Sequence, residues 1–214
     1  GALFAVDAAQ SAGVLDINME EMQIDALAVP GHKGLYGPMG VGMLLLGKGI
    51  RPDTLLEGGN GLDSLSGGMG DDLPERYEPG TLPLPAIAGL RAGIEFVRRV
   101  TPEAIREKET ALGVFLRDAL TDLPGVHVAV PHLAGGTVLF RADGVSSEDI
   151  AARLDAAGSG ICVRPGFHCA ALAHRTLGTP EGGAVRASFG WFNTRRDAEQ
   201  LIQSLRGGLP GRNG

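Results

Sequence analysis

The chain has 214 residues, 43% hydrophobic and 21% charged, with a formal net charge of −6. That length can bury a real core as one large or two small domains, and the composition is that of an ordinary globular protein. Acids and bases are interspersed with no basic stripe to follow a nucleic-acid backbone, and no apolar run nears the roughly 18–20 residues that cross a bilayer, so neither nucleic acid nor membrane is an expected partner.

The chain opens GALFAV, with no basic leader region or cleavage site, and residues 3–6 read as a short buried strand ending at Asp7. A first residue other than Met and an immediate core strand read as the later part of a longer protein. Residues 25–29 and 41–46 are the next two strands. Their continuous apolar runs suit a sheet covered on both faces. Residues 51–82, rich in Gly, Pro and Asp, read as one long irregular stretch. A helix is expected over 85–99 and a second over 101–123, with Thr101 as N-cap and Pro102 in its first turn. Strands follow at 126–130 and 137–141, then a helix over 146–157 in which Ser146 and Asp149 are spaced as a capping box. Strands at 161–164 and 185–189 and a helix over 194–207 complete the pattern. The expected fold class is α/β, divided into residues 1–92, residues 93–206 of α+β character, and a polar tail 207–214.

The chemistry-bearing residues are few. Gly31-His32-Lys33 follows the second strand and precedes the glycine-rich GLYGPMGVG, while Asp7 ends the first strand. Functional groups of open α/β sheets collect beyond the carboxyl ends of strands. A lysine able to form a Schiff base with an aldehyde, with a carboxylate to keep a pyridine nitrogen protonated, is what pyridoxal phosphate chemistry requires. Cys169 ends the glycine-containing segment VRPGFHC, with Arg164, His168 and His174 near it in sequence; nearby cations favour a thiolate. Cys162 reads as a buried strand residue. Two cysteines make no disulfide framework, and a reducing cytoplasm is the expected compartment. Arg186, on a strand, is either an exposed residue or a bidentate clamp for a carboxylate. His127 and His132 read as surface residues, and Arg195-Arg196 as a solvated helix face. A zinc site from His168, Cys169 and His174, and a phosphate loop over 42–48, are the weaker readings, since the first has three ligands and the second has a strand between its glycines.

In order, VDAAQ, GHKGLYGP, EGGN, YEPGT, VRPGFHCA and VRASFGWFNT resemble the cysteine desulfurases of the class V aminotransferases. EGGN at Glu57–Asn60, with HCAALAHRTLGT, resembles one desulfurase-like subfamily. The likeness runs from residue 1 to about 206, and the family's N-terminal part has no counterpart here. It implies the C-terminal portion of a fold-type I pyridoxal-phosphate enzyme, with residues 1–92 as part of the large cofactor-binding domain and 93–206 as the small domain. By resemblance Lys33 holds pyridoxal 5'-phosphate covalently, Asp7 pairs with the pyridine nitrogen, Gln10 bonds the phenolic oxygen and His32 contacts the phosphate. Thr81 matches a threonine that reaches a partner's phosphate across a homodimer interface. Arg186 clamps the substrate carboxylate, with Arg164 a second substrate-binding residue, and Cys169 takes sulfur from L-cysteine as a persulfide. A sulfur-acceptor protein is the implied further partner. Pro30, Phe167 and Ala171 stand where relatives commonly carry Ser or Thr, His and Pro. Two other readings remain beside this one: a class V aminotransferase or selenocysteine lyase, and a non-catalytic chain that acts by binding a partner.

Overall fold

The computed structural model describes residues 1–208 apart from 62–66, 131, 133–134, 157–159 and 180–181. The last residues of the expected polar tail, 209–214, lie outside the described residues. Contacts divide the chain into two units, Gly1–Glu103 and Ala104–Gly214. Helix α1 (Leu84–Val100) packs into the first unit through Leu90 and Gly93.

In the first unit β1 (Ala5–Asp7), β2 (Ala26–Pro30) and β3 (Gly42–Leu46) form a sheet in the order β1-β2-β3. β1 pairs parallel to β2, with Asp7 against Ala28, and β2 pairs antiparallel to β3, with Ala28 against Leu44. The expected strand at 3–6 begins later because Asp25 intercepts Phe4: its carboxylate Oδ2 accepts the Phe4 N–H at 2.7 Å. Leu27 and Val29 point into a core with Ala8, Ile24, Leu35 and Leu90. On the other face Asp7, Ala28 and Leu44 are exposed, so the expected burial on both faces is not met in this chain. Residues 51–82 carry one short 3-10 turn, Glu75–Tyr77, among the described residues.

In the second unit α2 (Pro102–Thr121, starting within the first unit) is followed by β4 (Val126–Val128), β5 (Thr137–Ala142), α3 (Ser147–Ala156), α4 (Ala171–Leu177), β6 (Val185–Ser188) and α5 (Arg195–Gly208). The three strands make an antiparallel sheet in the order β4-β5-β6. β5 alternates, burying Val138, Phe140 and Ala142 against Leu116, Leu120, Ile150, Leu154 and the α5 stripe Ala198, Leu201, Ile202 and Leu205. The N-cap half of the capping box expected at α3 is present, with Asp149 N–H donating to Ser146 Oγ at 3.0 Å, and the Ser146 hydroxyl donates to Asp149 Oδ2 at 2.8 Å. At α5, Asp197 accepts the Thr194 N–H at 2.8 Å, and this bond is the main reason its carboxyl sits below the usual range. Arg195 lies over the Phe115 ring at 4.1 Å, holding the start of α5 to α2.

Two differences concern the site. The strand expected at 161–164 is reduced to a single antiparallel bridge, Arg164 to Arg186. Pro165 has no N–H to continue a ladder, and Gly166 turns the chain at a φ of 92°. Helix α4, absent from the sequence expectation, begins two residues after Cys169, with Ala170 as its N-cap.

Candidate functional site

In the first unit the site is built on close backbone contact. Asp7 leaves β1 at its carboxyl end, and its Oδ1 accepts the Ala9 N–H at 2.9 Å, an Asx turn that orients the carboxylate. Ala8 donates to Ala28 O at 2.9 Å, tying this turn to β2. β2 ends at Pro30, and Gly31-His32-Lys33 turns there, closed by Gly37 N–H donating to Gly31 O at 2.8 Å and Tyr36 N–H to Lys33 O at 3.0 Å. Two glycines then bring the segments together. A Cβ on Gly13, whose φ is 84°, would lie 2.0 Å from Gly34 O, and one on Gly34 would lie 2.2 Å from Ala12 O. Neither position tolerates a side chain, so the turn after Asp7 and the residue after Lys33 are in backbone contact.

Helix α1 seats the same turn from the far side. A Cβ on Gly93 would fall 2.2 Å from Leu35 O, and one on Gly31 would fall 2.8 Å from Val41 O and 3.1 Å from Leu90 Cδ1. Asp7, Gln10, His32 and Lys33 are all exposed at this end of the parallel pair. Thr81 is exposed in the segment before α1.

In the second unit Arg164 and Arg186 exchange backbone hydrogen bonds of 3.0 and 2.8 Å. The Arg186 side chain is half-buried, and its Nε is fully buried without a hydrogen-bond partner among the described residues. A buried unpaired guanidinium N–H costs roughly 1–3 kcal/mol, more for a charged group, so this Nε is a local cost of the fold. The segment then turns at Gly166, whose N–H donates to the buried Ser147 Oγ at 3.3 Å; a Cβ on Gly183 would come within 2.2 Å of Gly166 O.

Cys169 sits on a tight turn, with Ala170 N–H donating to Phe167 O at 2.8 Å. Its two central residues, His168 and Cys169, have φ of 53° and 60°, the left-handed region that costs a side-chain-bearing residue about 1–2 kcal/mol. His168 is bonded on both ring nitrogens: Nε2 to Arg164 O at 2.8 Å and Nδ1 to His174 Nε2 at 3.2 Å. Burial holds its imidazole below the ordinary range, opposed by the bond to the Arg164 carbonyl and reinforced by the charge of Arg186.

Cys169 is exposed, and Cys162 is exposed as well rather than buried, because its segment never joins the sheet as a strand. His127 and His132 are exposed, His127 Nε2 lying 2.8 Å from Asp143 Oδ1. No group of His, Cys, Asp and Glu that could hold a metal occurs among the described residues, and the His168 and His174 nitrogens are spent on one another and their neighbours. Residues 42–46 are strand β3, so the phosphate-loop spacing has no loop.

A family model described as aminotransferase class-V matches residues 1–201. A curated relative from Methanothermobacter thermautotrophicus, named a probable cysteine desulfurase, is 34% identical over 211 residues, spanning 96% of this chain and 52% of its own. Among solved structures, the apo cysteine desulfurase of Thermococcus onnurineus NA1 matches with a TM-score of 0.81 at 33% identity, over 96% of this chain and 52% of that one. The cysteine desulfurase CsdA of Escherichia coli, in an S-sulfonic acid form, matches with a TM-score of 0.85 at 28% identity, over 96% of this chain and 51% of that one. The chain spans about half the length of the relatives it matches.

Proposed function

The chain belongs to the class-V aminotransferase family, and on that premise we propose that it carries the lysine and the thiol of a pyridoxal 5'-phosphate-dependent cysteine desulfurase acting on L-cysteine. The observation that carries the reading is the backbone contact of Gly13 with Gly34, which keeps the Asp7 turn and the Lys33 turn in one register at the carboxyl end of β1 and β2. The donor set fits the cofactor: an exposed amine for its aldehyde, a carboxylate for its pyridinium, and Gln10 and His32 for its phenolic oxygen and phosphate. When bound, the cofactor supplies an electron sink that makes the substrate Cα–H acidic.

The remaining work belongs to the chain. The Lys33 amine takes the Cα proton and returns a proton to carbon. The Arg186 fork, whose buried Nε lacks a partner among the described residues, takes the substrate carboxylate, with Arg164 beside it across the bridge. The Cys169 thiolate attacks the substrate sulfur: an S–S bond forms, the C–S bond breaks, and its electron pair stays with carbon, which is protonated and leaves as alanine. Sulfur is oxidised as carbon is reduced, and no outside oxidant is needed. An acceptor protein then takes the persulfide sulfur from Cys169.

In this reading residues 1–92 are part of the large cofactor-binding domain and 93–206 the small domain. The working form is a homodimer, in which the exposed Thr81 serves the partner's cofactor phosphate. The two free cysteines support a reducing, cytoplasmic setting, and no helix among the described residues is long and apolar enough to cross a membrane. Incubation with pyridoxal 5'-phosphate and L-cysteine should give alanine and a persulfide mapped to Cys169. Cys169→Ser should end both while leaving cofactor absorbance intact; undiminished alanine release from that variant would remove Cys169 from the reaction.

A further inference from the structure

His174 is 3% exposed, although it belongs to the short helix α4 whose other residues are exposed. Both of its ring nitrogens are engaged, Nδ1 at 2.8 Å from Thr179 Oγ1 and Nε2 at 3.2 Å from His168 Nδ1. Gly178, with φ of 64°, ends α4 and turns Thr179 back onto the ring. The Phe167 ring meets the same imidazole edge-on at 5.4 Å.

The direction of this chain is determined by its end. Arg164 O can only accept, so His168 Nε2 carries the proton, and a neutral His168 presents a bare Nδ1. The His174 Nε2–H must then donate to it, which leaves His174 Nδ1 bare to accept from the Thr179 hydroxyl. His174–His168–Arg164 is thus a one-way run of donors, while the Thr179 hydroxyl has two acceptors, His174 Nδ1 at 2.8 Å and His174 O at 3.2 Å. The last acceptor of the run, Arg164 O, also takes the Arg186 N–H at 2.8 Å. The chain therefore runs from a buried ring, through one of the two left-handed residues of the Cys169 turn, to the backbone of the arginine whose Nε is buried and unpaired.

We propose that His174 is the positioning residue for Cys169: by donating to His168 it holds the left-handed turn in place and fixes the thiol relative to the Arg164–Arg186 bridge. The proposal deepens the desulfurase reading and, for its catalytic consequence, rests on it. A turn with two non-glycine residues at positive φ relaxes unless its surroundings over-determine it. His168 is the bonded side chain of that turn, and His174 supplies one of its two bonds. The groups facing His168 are Arg164, Arg186 and His174, so removing His174 frees Nδ1 for a proton.

The test compares His174→Leu, which fills the space without a donor, with His174→Gln, whose amide N–H can still donate. In the Leu variant the His168 ring, followed by NMR, should titrate at higher pH than in the wild type. The rate of persulfide formation at Cys169 at saturating L-cysteine should fall tenfold or more with KM for L-cysteine changed less than twofold, since small misplacement of a reacting group costs rate rather than binding. The Gln variant should bring both readouts most of the way back. If the Leu variant does not fold, Thr179→Val, which removes the outer donor, should move both readouts the same way by a smaller amount. An unchanged His168 titration, an unchanged rate, or equal losses in the Leu and Gln variants would overturn the proposal. The titration needs neither cofactor nor substrate. A wild type that releases no alanine therefore sinks the desulfurase reading, while the His168 shift still decides the positioning.

Discussion

Arg186 Nε is a buried donor that the fold leaves without an acceptor among the described residues, and Cys169 stands on a backbone conformation that its own side chain disfavours. Both are local costs, and both fall on residues the proposed reaction uses. Arg186→Lys keeps the positive charge but loses the planar fork, so KM for L-cysteine should rise about tenfold or more, equivalent to about 1.4 kcal/mol, with a smaller effect on kcat. An unchanged KM would mean that Arg186 does not hold the substrate. At this scale the sequence was informative where chemistry is carried by residue type: Lys33, Asp7, Cys169 and Arg186 could be singled out from their motifs. It was silent on Gly13, Gly34 and the bond from His174 to His168. Their significance depends on which backbone or ring they meet, and a single glycine or histidine carries no sign of its neighbour.

At the scale of elements, α1 is the part that holds the lysine turn. Gly93 lies on its buried stripe, directly over the backbone of residues 35–37. In an exposed helix, Gly→Ala gains up to about 1 kcal/mol from propensity. Here the added Cβ would sit 2.2 Å from Leu35 O, so Gly93→Ala should lower stability by about 1–3 kcal/mol and weaken cofactor retention at Lys33. Chemical denaturation of the variant checks this, and a stabilised variant would show that α1 does not seat the turn so closely. The long elements were legible: α1, α2, α3, α5 and strands β2 to β6 lie where hydrophobic periodicity and capping residues predict them, within a few residues. The misses have physical causes. Residues 161–164 have the alternation of a strand, with Ile161 and Val163 half-buried and Cys162 and Arg164 exposed, but Pro165 ends the pairing after one bridge. Helix α4 is short, its N-cap Ala170 makes no side-chain cap bond, and it is stabilised by burying His174, which composition cannot announce.

At the scale of the molecule, the proposed chemistry is divided between two separately built units. The lysine and its acid stand at the end of the parallel pair of the first, and in the second the arginine is on the antiparallel sheet and the thiol on the turn before α4. Each unit has its own core, and each presents its reactive groups on turns where glycines allow backbone to meet backbone, at Gly13 with Gly34 and at Gly183 with Gly166. The proposed reaction depends on the Lys33 turn being a cofactor site. This is tested most directly by adding pyridoxal 5'-phosphate to the protein, reducing with borohydride and mapping the modified peptides by mass spectrometry. One stoichiometric adduct is expected, on Lys33, that Lys33→Ala removes. No adduct, or modification spread over Lys48 and Lys108, would contradict it.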